Sequence, residues 1–156
     1  MLHPPLSPFH RNGLLLSAGL FVLVGLAVLP PFVSASAGGW IMQAFAPVCH
    51  QLAERSFHVD GVQLAVCHRC LGAYVGLLVG VLLFLVPAWE SKSLRPLVLL
   101  VIAALPGVVD WSGDVVGLWV NTPMSRVLTG AFFGIPAGTI LGSAVMGQRS
   151  RKSGSS

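Results

Sequence analysis

The chain has 156 residues, of which 54% are hydrophobic and only 9% charged, against about 25% charged in an ordinary soluble domain. With a mean hydropathy of +0.83, this excludes a soluble globule, a disordered chain, a collagen-like or coiled-coil rod and a small secreted disulfide scaffold. The net charge of +4 does not indicate nucleic acid as a partner, because the basic residues are scattered and cluster only at Arg149, Arg151 and Lys152, where they suit anionic lipid headgroups.

A helix needs about 20 apolar residues, within a range of about 17–25, to cross a bilayer. The first such segment covers about 13–31 and is closed by Pro30-Pro31. Residues 34–70 then form a loop holding all three cysteines and three of the five histidines. The second segment covers about 71–88. The third begins after Arg95-Pro96 and meets Asp110 early. It either breaks at Pro106-Gly107 or continues through Asp110 and Asp114 to about 118. Continuation is preferred, because residues 115–120 are again apolar. The fourth covers 127–146, and 147–156 is a basic tail. Arg11, the first apolar run and Ala35-Ser36-Ala37 also resemble a cleaved signal peptide, but the length of the run and Pro30-Pro31 favour a retained span. The expected fold is an all-α membrane protein: one domain, a four-helix transmembrane bundle with a Cys/His-containing outer loop.

Basic residues set the orientation. Arg11, Lys92, Arg95, Arg149, Arg151 and Lys152 share one side of a four-span topology, and Arg55, Arg69 and Arg126 share the other. This asymmetry predicts a multi-pass protein of the plasma (inner) membrane, with both termini cytoplasmic and the cysteine-rich loop outside.

Gly72, Gly76 and Gly80 recur every four residues in the second span, and Gly130, Gly134, Gly138 and Gly142 do so in the fourth. That spacing lines each set along one helix face, where the lack of a side chain lets two backbones approach closely. Gly72-Ala73-Tyr74-Val75-Gly76 also matches Gly130-Ala131-Phe132-Phe133-Gly134, a weak sign of duplication. Such faces would equally serve a homo-oligomer or a larger membrane complex.

The chemistry concentrates in Cys49-His50-Gln51, Glu54-Arg55-Ser56-Phe57-His58 and Cys67-His68-Arg69-Cys70. Cys67 and Cys70, three apart at a helix start, share one face. The helix N-terminus and Arg69 favour the thiolate, which is both the metal-binding and the nucleophilic form. Two chemistries follow. Cys49, Cys67 and Cys70 with His50 make a Cys3His set suited to Zn²⁺ or another thiophilic ion, with His58 and His68 as substitutes. Gln51 and Arg55 would then orient ligands or offset thiolate charge, and Tyr74, one turn below Cys70, would offer a hydroxyl. The alternative is thiol–disulfide exchange by Cys67 and Cys70 with Cys49 resolving, for which a quinone is the membrane partner. A static disulfide with a spare thiol, or three inert small hydrophobes, is the bland alternative, and an odd cysteine count in an exposed outer loop stands against it.

The run Cys49-His50-Gln51, Arg55-Ser56 and Cys67-x-Arg69-Cys70-x-Gly72-x-Tyr74-x-Gly76 resembles the bacterial membrane proteins catalogued as domain of unknown function 2085. Asp110, Asn121, Arg126, Thr129, Gly130 and Gly134 are similar to that family's second half. The resemblance implies a helical membrane protein without an established activity, and it favours His50 over His68 as a ligand.

Asp110 and Asp114, at i and i+4, share a helix face, and carboxylates within a span are costly enough to mark function. Arg126, at the start of the fourth span, is the expected countercharge of Asp110. Trp111 and Trp119 suit an interfacial belt. The leading expectation is a metal- or cofactor-binding Cys/His site at the outer membrane surface. A membrane thiol oxidoreductase and a non-catalytic subunit of a larger complex are the alternatives.

Overall fold

Pro30-Pro31, Pro96 and Pro123 punctuate the chain where helices end or begin, since proline suits a first helical turn and disfavours helix before it. The computed structural model describes residues 8–86 and 95–146. In order these are α1 (Pro8–Val28), α2 (Ala35–Phe45), β1 (Ser56–Val59), β2 (Val62–Cys67), α3 (His68–Leu85), α4 (Pro96–Val115) and α5 (Pro123–Met146), with 3₁₀ turns at Pro30–Phe32 and Ala53–Arg55. Among the described residues, α1, α3, α4 and α5 are long and apolar enough to cross a membrane. The chain is a mostly helical membrane protein with four such helices.

Helix α1 runs Pro8–Val28 rather than about 13–31, and three further boundaries differ from expectation. Helices α3 and α5 begin at His68 and Pro123, ahead of 71 and 127, so that Arg69 and Arg126 lie inside the first turns rather than before them. Helix α4 runs through Pro106 and stops at Val115, short of 118. Gly117, at φ 74°, ends it: its N–H donates to the Asp114 carbonyl, and that of Leu118 donates to the Gly113 carbonyl at 2.9 Å. This is the Schellman arrangement. Trp119 then folds back over Gly113, where any Cβ would strike the indole. Lys92, the second span's end at 87–88, and the tail with Arg149, Arg151 and Lys152 lie outside the described residues.

The stretch 34–70 is not a plain loop. Ser34 caps α2, its Oγ accepting the Ala37 N–H, and Ala35, Ser36 and Ala37 form the helix's first turn. Asp60 and Gly61 take positive φ values of 49° and 80°, the geometry of a two-residue hairpin turn. Strands β1 and β2 pair antiparallel, Val59 opposite Val62 and Ser56 opposite Cys67. The helical bundle is as expected, and this short hairpin is an addition to it within the 34–70 segment.

Helices α3 and α5 are parallel and meet backbone to backbone. A Cβ on Gly72 would collide with the Val127 carbonyl. On Gly76 it would stand 3.0 Å from the Gly134 Cα, and on Gly80 3.0 Å from the Gly138 Cα. Gly130 and Gly134 face the carbonyls of Arg69 and Ala73 in the same way. Gly142 departs from this series, meeting the side chains of Met146 and Phe84. Two apolar cores flank the seam. One gathers Leu20, Val81 and Met146 with Phe84 and Leu85 around them. The other holds Ala27, Phe45, Cys49, Ala65 and Val66 at the opposite end.

Candidate metal centre

Each cysteine is delivered by a different local device. Cys49 follows α2, and its N–H donates to the Phe45 carbonyl at 3.0 Å, extending that helix's hydrogen bonding beyond its end. Gln51 then takes a left-handed backbone, φ 51°, unusual for a residue with a Cβ. Its amide Nε2 donates to the carbonyls of Met42 and Ala65, both at 2.7 Å, tying the turn to α2 and β2. Gln63 completes the brace, donating from Nε2 to the Gln51 carbonyl at 2.7 Å and to Ser56 Oγ at 3.2 Å. Cys67 ends β2 and is the N-cap residue of α3, and Cys70 lies in that helix's first turn.

The outcome is that the Sγ atoms of Cys49, Cys67 and Cys70 all lie within 4.8 Å of one another. None is in a disulfide. The main-chain N–H of Cys67 donates to Cys49 Sγ at 3.2 Å. Ala27, Phe45, Ala65 and Val66 are buried around Cys49, and Met42, Leu71 and Tyr74 pack against that cluster. Cys49 itself is 4% exposed, whereas Cys67 and Cys70 keep a partly open side.

Cys67 is the electrostatic focus. Its side chain closes no strict cap hydrogen bond, yet the sulfur stands among the donors of the first turn. Hydrogen bonding from the Cys70 thiol, and then from the main chain of Cys70, the Cys49 thiol and the main chain of Arg69, outweighs burial and holds Cys67 down at about 5. Helix N-termini lower thiol pKa values by this route.

The other expected site residues separate from the thiols. His50 is exposed beside Cys49, and His58 is exposed on β1. His68 is 4% exposed, its ring edge-on to Phe57 at a centroid distance of 4.3 Å. Among the described residues no histidine, aspartate or glutamate joins the three sulfurs. Arg55 is exposed at the end of a 3₁₀ turn. Tyr74 packs near the cluster with its ring 6.2 Å from that of Phe45.

The charge pairing differs from expectation. Asp110 pairs with Arg69 at 2.6 Å, not with Arg126. Arg126 lies 3.8 Å from Asp114, whose Oδ1 also accepts the Asn121 N–H. Because α3 begins at His68, Arg69 projects from its first turn toward α4 and takes the nearer aspartate. Asp114, one turn further on, is left to α5. Arg69 therefore acts on Cys67 through its main chain, while its guanidinium ties α3 to α4. The braces supplied by Gln63 and by the Met42 and Ala65 carbonyls join residues too far apart in the chain for a motif to show. A lone glutamine in an otherwise apolar strand was the available signal.

The family model described as predicted membrane protein, DUF2085, matches residues 49–140. The chain belongs to this family. An uncharacterised protein of Methanocaldococcus jannaschii is 33% identical over 91 residues, which are 58% of this chain and 58% of that protein. An uncharacterised protein of Methanothermobacter thermautotrophicus is 31% identical over 107 residues, 68% of this chain and 89% of the relative. The chain thus spans under two thirds of the first relative's length. Both relatives are archaeal, so they lend no support to the bacterial source expected from the resemblance. No solved structure matches the chain.

Proposed function

We propose that this member of the DUF2085 family holds a thiophilic metal ion, Zn²⁺ or a softer one, on Cys49, Cys67 and Cys70 at one end of its four-helix bundle. The observation that carries the reading is the convergence of three sulfurs from three separate elements within 4.8 Å. Two thiolates on one tetrahedral Zn²⁺, each at about 2.3 Å, stand about 3.8 Å apart, so binding asks the sulfurs to draw together by up to about 1 Å, within the reach of side-chain rotation. The N–H groups around Cys67 offset the negative charge that three thiolates bring, and the bracing by Gln51 and Gln63 fixes the Cys49 loop. Three protein ligands leave a fourth position to solvent or to an incoming ligand, as catalytic and exchange sites do.

The test is metal content and Co²⁺ absorption of the full chain, purified reduced in detergent. About one ion per chain is expected, with sulfur-to-cobalt charge-transfer bands. Cys49→Ser, Cys67→Ser and Cys70→Ser should each lower affinity at least tenfold, while His50→Ala and His68→Ala retain the ion. Reduced protein that takes up no thiophilic ion overturns the metal reading.

A second reading has its own support in the depressed Cys67 thiol beside Cys70. Cys67 thiolate would attack a partner's disulfide, releasing one partner thiolate and forming a mixed disulfide. Cys70 thiolate would then attack Cys67 sulfur, releasing the second partner thiolate and leaving a Cys67–Cys70 disulfide. Reversible formation of that disulfide in metal-free protein separates this reading from the first.

A further inference from the structure

From Asn12 to Ala53 the chain carries no Asp, Glu, Lys or Arg. Helix α1 accounts for the portion up to Val28. The remainder, the Pro30–Phe32 turn, α2 and the approach to Gln51, lies beyond the span yet is equally uncharged. Pro30, Gly38, Phe45 and Cys49 are its buried side, and the other side is open. Trp40 is 74% exposed and Phe32 68%, and Val48 and Leu52 are exposed as well. The charged groups of the same layer, Glu54, Arg55 and Asp60, stand exposed on the 3₁₀ turn and hairpin. The layer over the thiols is thus divided into an uncharged aromatic part and a charged part.

We propose that the surface presented by Phe32, Trp40, Val48 and Leu52 is set into the headgroup region of the bilayer, with α2 lying along the membrane interface. The occupant follows from continuity. Phe21, Val22 and Leu26 are exposed apolar side chains on α1, a helix long and apolar enough to cross a membrane, and only one short turn separates α1 from α2. An 11-residue helix is too short to cross. Trp40 combines a large apolar ring with an N–H donor, the pairing that favours the interfacial zone. Because the segment has no charge, its attachment depends on apolar area and not on anionic lipid, unlike basic amphipathic helices. The inference does not depend on whether the thiols hold a metal. Its consequence is positional: Met42 and Phe45 of α2 wall the thiol cluster, so the cluster stands at headgroup depth and its ligands arrive through the membrane boundary.

The test uses the full chain in phosphatidylcholine vesicles, with Trp40 as the remaining tryptophan after Trp89→Phe, Trp111→Phe and Trp119→Phe. Trp40 emission should be quenched several-fold more by lipids brominated near the headgroup end of the acyl chain than by lipids brominated near its end. Aqueous iodide should quench it little, and adding anionic lipid should leave the result unchanged. Should the triple variant fail to fold, the same quenching is read as the difference between the unaltered chain and Trp40→Phe. Strong iodide quenching with no effect of brominated lipid overturns the proposal by placing α2 in water. Shielding from both quenchers overturns it in favour of a protein contact, such as a second copy.

Discussion

At Cys67 two local effects oppose each other. Partial burial disfavours a thiolate, while the Cys70 thiol and the first-turn N–H groups favour it, and the latter prevail by a wide margin, from an ordinary 9.0 down to about 5. The sign determines the experiment. A lowered pKa means that the thiolate persists as pH falls and is lost only on passing through about 5. In reduced, metal-free protein, alkylation of the Cys67 peptide should therefore be nearly level from pH 6 to 8 and fall about tenfold per unit well below 5. Cys70→Ala, which removes the largest contributor, should move the inflection upward. An inflection between 8 and 9 in the unaltered chain would dismiss the depressed thiol. This much of the site was legible, because Cys-x-x-Cys before an apolar run names a helix N-terminus. The role of Gln51 was not. Its position after Cys49 suggested a group acting on ligands, but its hydrogen bonds go to the Met42 and Ala65 carbonyls, partners that no local spacing reveals.

Glycine at every fourth position reads directly as a face, and in α3 and α5 that face is a seam of backbone against backbone. The seam runs parallel, Gly76 to Gly134 and Gly80 to Gly138, because α4 carries the chain back between them. Leucine at Gly76 would have to displace the Ala131 carbonyl and the Gly134 Cα, which are backbone and cannot turn aside. Overpacking of this kind costs about 1–3 kcal/mol, sometimes more. Gly76→Leu should accordingly lower the unfolding temperature in detergent by several degrees or prevent assembly. Gly25 has nothing near its missing Cβ, so Gly25→Leu is the control and should leave the temperature unchanged. Equal behaviour of the two variants would reduce the seam to composition. The hairpin shows the opposite case. Asp60-Gly61 is a strong turn signal, but β1 is only the four residues Ser-Phe-His-Val, too short for an alternating pattern to declare a strand.

For the molecule as a whole, the third helix shows what sequence can and cannot place. That α4 continues past Pro106 was readable from the apolar residues beyond. Which aspartate meets which arginine was not, because Asp110 and Asp114 share one face and either could reach a neighbour. The tertiary start of α3 at His68 makes the choice. Both ion pairs stand at the end of the bundle that carries the thiols, since Asp110 and Asp114 close α4 while Arg69 and Arg126 open α3 and α5. Arg69 and Arg126 are therefore committed to helix pairing, and Arg55 is the remaining basic residue of that end among Arg55, Arg69 and Arg126. At the opposite end Arg11 lies in the first turn of α1 and Arg95 precedes α4, and in the sequence Lys92, Arg149, Arg151 and Lys152 flank the same helices. Lys and Arg near span ends are retained on the cytoplasmic side. The thiol end should hence face outward and the C-terminus inward. In intact cells of a bacterial host, a membrane-impermeant maleimide reagent should label the native cysteines of the metal-free protein. A protease added outside should leave a C-terminal tag intact until the cells are broken. Removal of the tag from unbroken cells, with the thiols protected, would reverse the orientation and turn the thiol layer toward the cytoplasm.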